Sequence, residues 1–125
     1  MSIRSTAWGL LIAVALLFPA NAAPTTSAGQ VSVAQLVEAM RGAAGDPMKA
    51  QVLTAYLAGL GETVGIMLAG SANYGAKITC KRAVAVDTKV VEAAIKRVDG
   101  GEPAYAETAA TPLLVTEILD RAGCR

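Results

Sequence analysis

The chain has 125 residues with eleven Lys/Arg, ten Asp/Glu and no histidine, so it has room for one small domain and no Ser-His-Asp or Cys-His catalytic set. A near-neutral chain with no basic stripe gives no footprint for nucleic acid. Its composition is alanine-rich and about half apolar (54% hydrophobic), which suits helices.

Residues 1–22 read as a cleaved signal peptide. Arg4 is the only charge, "AWGLLIAVALLF" spans Ala7–Phe18, Pro19 breaks the run, and "ANA" at Ala20–Ala22 supplies the small residues of a cleavage site. The run is shorter than the ~20 residues of a membrane-crossing helix. Processing leaves 103 residues, 125 minus 22, with ten basic and ten acidic side chains once Arg4 is gone. An uncleaved anchor is the alternative. The expected compartment is the periplasm. No second long apolar run is read in the remainder, so the mature chain is expected to be soluble, without a membrane role.

Residues 23–31, "APTTSAGQV", read as a disordered leader, and residues 32–125 as one helical domain. Ser32-x-x-Gln35 is a capping box, followed by Leu36, Val37 and Met40 on one face. Asp46-Pro47 is a cap followed by proline at the first helical position. It opens a long helix, about residues 47–69, whose apolar positions are Val52, Leu53, Tyr56, Leu60, Val64, Met67 and Leu68. Gly59, Gly61 and Gly65 lie inside it, and each interior glycine costs roughly 0.5–1 kcal/mol relative to alanine. Close approach of another helix is the expected reason, with a kink near Gly61 the alternative. "GSANYGAK" is a loop, and Ile78–Val86 leads to the third helix. Asp87 caps that helix, and Val90, Val91, Ala94, Ile95 and Val98 form its buried stripe. Thr111-Pro112 repeats the cap-plus-proline start. Leu113, Leu114, Ile118 and Leu119 give the fourth helix its apolar face, and Gly123 ends it. The class is all-α: a small bundle of four, or four to five, helices held by one disulfide.

Cys80 and Cys124 are the only cysteines. In an exported chain two lone cysteines are joined as a rule. Two free thiols or a metal or redox site are the alternatives, but no histidine and no C-x-x-C pair is present to build either site. No cofactor or metal is expected. Glu62, Glu92, Glu117 and Asp120 read as a solvated helix face, because nothing in their spacing pairs them. "GLGETVG" lies within a helical pattern, so it is no dinucleotide loop. Lys77, Lys81 and Arg82 beside Tyr74 form a small basic cluster, read either as solvated loop charge or as a partner-contact patch. Tyr105 reads as a lid over the core or as an anchor for a partner.

Taken in order, "AYLAGLGETVG" (Ala55–Gly65), "ITC", "VDTKVVEAAIKRV" (Val86–Val98), "EP" and a terminal "AGC" resemble the Tai/Rap immunity family, which protects bacteria from type VI secretion amidase effectors. Tyr56 and Gly59 match the family's GY-aliphatic-x-G segment, Glu62 its following acid, and Cys80 and Cys124 its last two cysteines. Met40 and Val52 stand near the family's earlier cysteine pair, and Lys81-Arg82 replaces its isoleucine-proline. The resemblance implies a periplasmic, non-enzymatic, helical inhibitor that inserts a loop into a peptidoglycan amidase and forms homodimers through helix packing. Loops at Ala72–Lys77 and Gly100–Glu107 are the expected contact regions. A small periplasmic acid-stress chaperone, or a family member with no toxin partner, are the alternative functions.

Overall fold

A computed structural model describes residues 23–125; the expected signal peptide, residues 1–22, lies outside the described residues. Four α-helices follow in chain order: α1 Val33–Ala43, α2 Pro47–Gly70, α3 Thr88–Ile95 and α4 Ala110–Ala122. No strand occurs among the described residues, and Cys80 and Cys124 are joined by a disulfide (S–S 2.04 Å). The expected disulfide-stapled all-α bundle is therefore present. A disulfide of this kind marks an oxidising, extracytoplasmic environment.

Three of the four helix starts follow local chemistry. Ser32 accepts from Gln35 N–H while the Gln35 side chain accepts from Ser32 N–H, closing the capping box. Asp46 accepts from Met48 and Lys49 N–H, and Asp87 from Lys89 and Val90 N–H. The fourth start departs from expectation. α4 begins at Ala110, with Ala109 as a cap that offers no side-chain bond. Ala110 N–H instead donates to Val31 O at 2.8 Å, and the Thr111 hydroxyl pairs with Tyr56 Oη at 2.9 Å. A tertiary partner has taken the role that the sequence assigned to a local cap.

The supposed disordered leader is docked. Thr26 is buried, and its turn is closed by Thr26 N–H to Gln30 O and Gly29 N–H to Thr26 O. Ser32 Oγ donates to Pro24 O, Ser27 N–H to Glu107 Oε2, and Ala23 N–H to Glu38 Oε2. Composition suggested a free tail, but side chains from α1 and from the segment before α4 accept its backbone donors.

α1 packs on α2, α3 on α4, and α2 touches α4. Val33, Leu36, Leu53, Leu57, Leu60, Val64, Val90, Val91, Ala94, Ala110, Leu114 and Ile118 form one core. α2 contributes Leu53, Leu57, Leu60 and Val64, a single stripe. Two of its expected core residues, Val52 (65% exposed) and Met67 (58%), face away from it, as do Met48 and Ile66. The helix is apolar around most of its circumference, so periodicity alone could not select the buried side. Pro47–Tyr74 is also long and apolar enough to cross a membrane by length and composition, with a mean hydropathy of 1.6 over its best window. This corrects the reading that no second such run exists. Here one of its faces is committed to the core.

The expected close approach of another helix is found at none of the three glycines, and a near neighbour of any kind at only one. A Cβ at Gly61 would sit 3.2 Å from Val86 Cγ2, whereas Gly59 and Gly65 have nothing within 4 Å. The close neighbour at Gly61 is the segment before α3 and not another helix.

Candidate functional site: a stapled basic tip

α2 and α4 end, and the approach to α3 begins, at one end of the bundle. A 3-10 turn, Ser71–Tyr74, leaves α2, and Gly75 at φ 78° turns the chain out of it. Ser71 is buried and organises the exit: its hydroxyl donates to Leu68 O and accepts from Ile78 N–H, and its carbonyl accepts from Ala76 N–H. The chain then runs beside the end of α4. Thr79 and Arg125 exchange both N–H···O bonds at 3.0 Å. Lys81 and Arg82 N–H both donate to Ala122 O, and Arg82 Nε donates to Arg121 O. Together with the disulfide, these bonds pin residues 79–82 against the C-terminus.

Gly123 permits that approach. It caps α4 at φ 65°, and the Lys81 stem passes 3.2 Å from where its Cβ would be. A side chain there would meet both backbone strain and the lysine.

Tyr74 is 89% exposed at the tip, and Lys77, Lys81 and Arg82 are exposed. None of the three cations makes an ion pair among the described residues. From Thr63 to Val86 the sequence contains no acid at all. A groove of about 440 Å³ opens beside the cluster, floored by Val64, Leu68, Val84, Val86, Ile118 and Ala122, with Lys81 and Arg82 at its rim. The tip can thus offer uncompensated positive charge beside an apolar recess.

Tyr105 stands elsewhere. It is half-buried against the core, lines a cleft with Val37, Met40 and Ile95, and its carbonyl accepts from Ala34 N–H. It is not part of the tip.

The acids read as a solvated face include one that is not solvated. Glu117 is 7% exposed; its Oε1 accepts from Arg121 Nε at 2.6 Å and its Oε2 from Arg97 at 2.9 Å, while Arg97 also binds Asp120 at 2.7 Å. The hydrogen bond from Arg121, then that from Arg97, lowers the Glu117 pKa against the opposing effect of burial. The Glu117/Arg121 spacing of four residues was visible in the sequence; Arg97, on the chain leaving α3, was not an evident partner. No group of three or more His, Cys, Asp or Glu able to hold a metal occurs among the described residues.

Comparison with known proteins finds no matching family model, no matching curated protein and no matching solved structure.

Proposed function

We propose that this chain is a periplasmic, non-enzymatic immunity protein of the Tai/Rap type, which binds a peptidoglycan amidase effector and occludes its cleft with the basic tip. The observation that carries the reading is the tip itself: Tyr74, Lys77, Lys81 and Arg82 stand on one exposed segment anchored by the disulfide and by bonds to the end of α4. Occlusion needs a rigid protruding surface and no reacting side chain, so a chain without histidine suffices. Signal cleavage after Ala22 accords with the bond from Ala23 N to Glu38 Oε2, because processing would turn that nitrogen into an ammonium facing a carboxylate.

The test is pull-down of, and cell-wall hydrolysis by, amidases encoded beside this gene. Stoichiometric inhibition at micromolar concentration supports the reading. Absence of inhibition of every such amidase removes it and leaves a domain of this type without a toxin partner.

A second reading, an acid-stress chaperone, is favoured by the tie that the carboxylate of Glu117 makes between α4 and the chain leaving α3. Its test is protection of an aggregating client protein near pH 3, which an immunity protein would not provide.

The outward face of α2 supports self-association. Met48, Val52, Ala55, Gly59 and Ile66 recur there at helical spacing, opposite the buried stripe, and all are exposed. A homodimer would cover this face. Sedimentation velocity tests it, with Ile66→Glu expected to shift the chain to monomer.

A further inference from the structure

The outer wall of the tip groove is a segment whose backbone has no partner. Ala83–Val86 lies between the bond from Arg82 N–H to Ala122 O and the Asp87 cap of α3. None of its four amides and none of its four carbonyls takes part in a hydrogen bond among the described residues. Ala83 and Ala85 are exposed while Val84 and Val86 are half-buried, the two-residue alternation of a strand. Val86 is fixed over Gly61, and Val84 lines the groove. Unpaired backbone of this kind is a template for a further strand.

The geometry points to docking of an extended, acidic segment of a partner protein. Its backbone pairs with Ala83–Val86 as an added strand, an apolar side chain enters the groove over Val64 and Ile118, and its carboxylates meet Lys81 and Arg82. This rests on reading the tip as partner-binding, and not on that partner being an amidase. A second copy paired antiparallel on this edge would set Arg82 of each chain opposite Asp87 of the other and bring no apolar side chain into the groove, since Ala83 and Ala85 are the only outward residues of the segment; self-association through Ala83–Val86 that the acidic peptide cannot displace would overturn the proposal. An anionic lipid headgroup would satisfy the cations and leave the backbone groups of Ala83–Val86 unmatched.

The experiment uses the mature chain and a fluorescein-labelled ten-residue peptide alternating valine and glutamate. Controls are a valine–lysine peptide and the acidic peptide N-methylated at every second residue, in each of the two registers. Binding is read by anisotropy, and amide exchange by NMR. The acidic peptide binds at least tenfold more tightly than the basic one, and at least one N-methylated register loses tenfold or more. The double variant Lys81→Glu/Arg82→Glu loses at least tenfold at a temperature where its circular dichroism matches that of the native fold, and exchange at Ala83–Val86 of the native chain slows on peptide addition. Equal affinity for both charged peptides, indifference to N-methylation in both registers, or unaltered exchange at Ala83–Val86 each overturns the proposal. Retention on phosphatidylglycerol vesicles with no binding of the acidic peptide assigns the cations to a lipid surface and overturns it equally. An amidase inhibited as well by the double variant as by the native chain removes this mode of docking and leaves the immunity reading standing; peptide binding without inhibition of any amidase does the reverse.

Discussion

Glu117 occupies the least solvated acidic position of the bundle and holds two arginines, one on its own helix and one on the chain leaving α3. Removing one partner of such a cluster strands the others, so Glu117→Ala should lower stability by about 2 kcal/mol, read as a shift in the urea midpoint. The acid response follows from the direction of the shift. Its folded pKa lies below the ordinary glutamate value of 4.5, so its contribution is complete above that value and is lost as pH falls through the lower, folded one. Between about pH 5 and pH 3 the midpoint should fall more steeply for the native chain than for Glu117→Gln. Equal slopes would show that the acid response resides in other carboxylates. Glu107 acts in the same sense: the backbone N–H of Ser27 lowers its pKa, so acid should loosen the docked leader, as amide exchange at Ser27 would report.

At the scale of the element, α2 carries two unlike surfaces. Gly59 and Gly65 face open space and Gly61 faces Val86. Gly59→Ala and Gly65→Ala should each stabilise the monomer by roughly 0.5–1 kcal/mol. Gly61→Ala should gain nothing, because the valine must give way. Denaturation at several protein concentrations separates this from self-association: if a second copy covers the outward face, the gain at Gly59 shrinks or reverses as concentration rises. Tyr56 ties this helix to the first turn of α4 through Thr111. Tyr56→Phe should cost about 1 kcal/mol, with the loss of protection concentrated at residues 110–113.

For the whole molecule the decisive bond is covalent. Cys80 and Cys124 are 44 positions apart, and closing a loop of that size is worth about 4 kcal/mol in the chain-entropy model. Reduction should therefore lower the melting temperature by roughly 20 °C and release residues 79–82 from the end of α4. If the immunity reading holds, reduction should also abolish inhibition while much of the helical circular dichroism remains. Unchanged melting on reduction would remove the staple as the organiser of the tip.

Local chemistry was legible in the sequence because its partners lie within a turn. Ser32, Asp46 and Asp87 each satisfy amides two or three residues ahead, and Gly123 ends α4 with the backbone only glycine adopts readily. The all-α class and the four helices follow from such signals, and the cysteine pairing from there being only two cysteines in the sequence. What tertiary structure alone decided involves partners far along the chain. Thr111 bonds Tyr56 and caps nothing, the leader is held by Glu38 and Glu107, and Glu117 meets Arg97. The outward face of α2 and the unpaired backbone of Ala83–Val86 belong with these, because an apolar helix does not announce which side the core will take. Nor does a sequence record which amides are left without a bond, since that depends on where every other acceptor in the fold has come to rest.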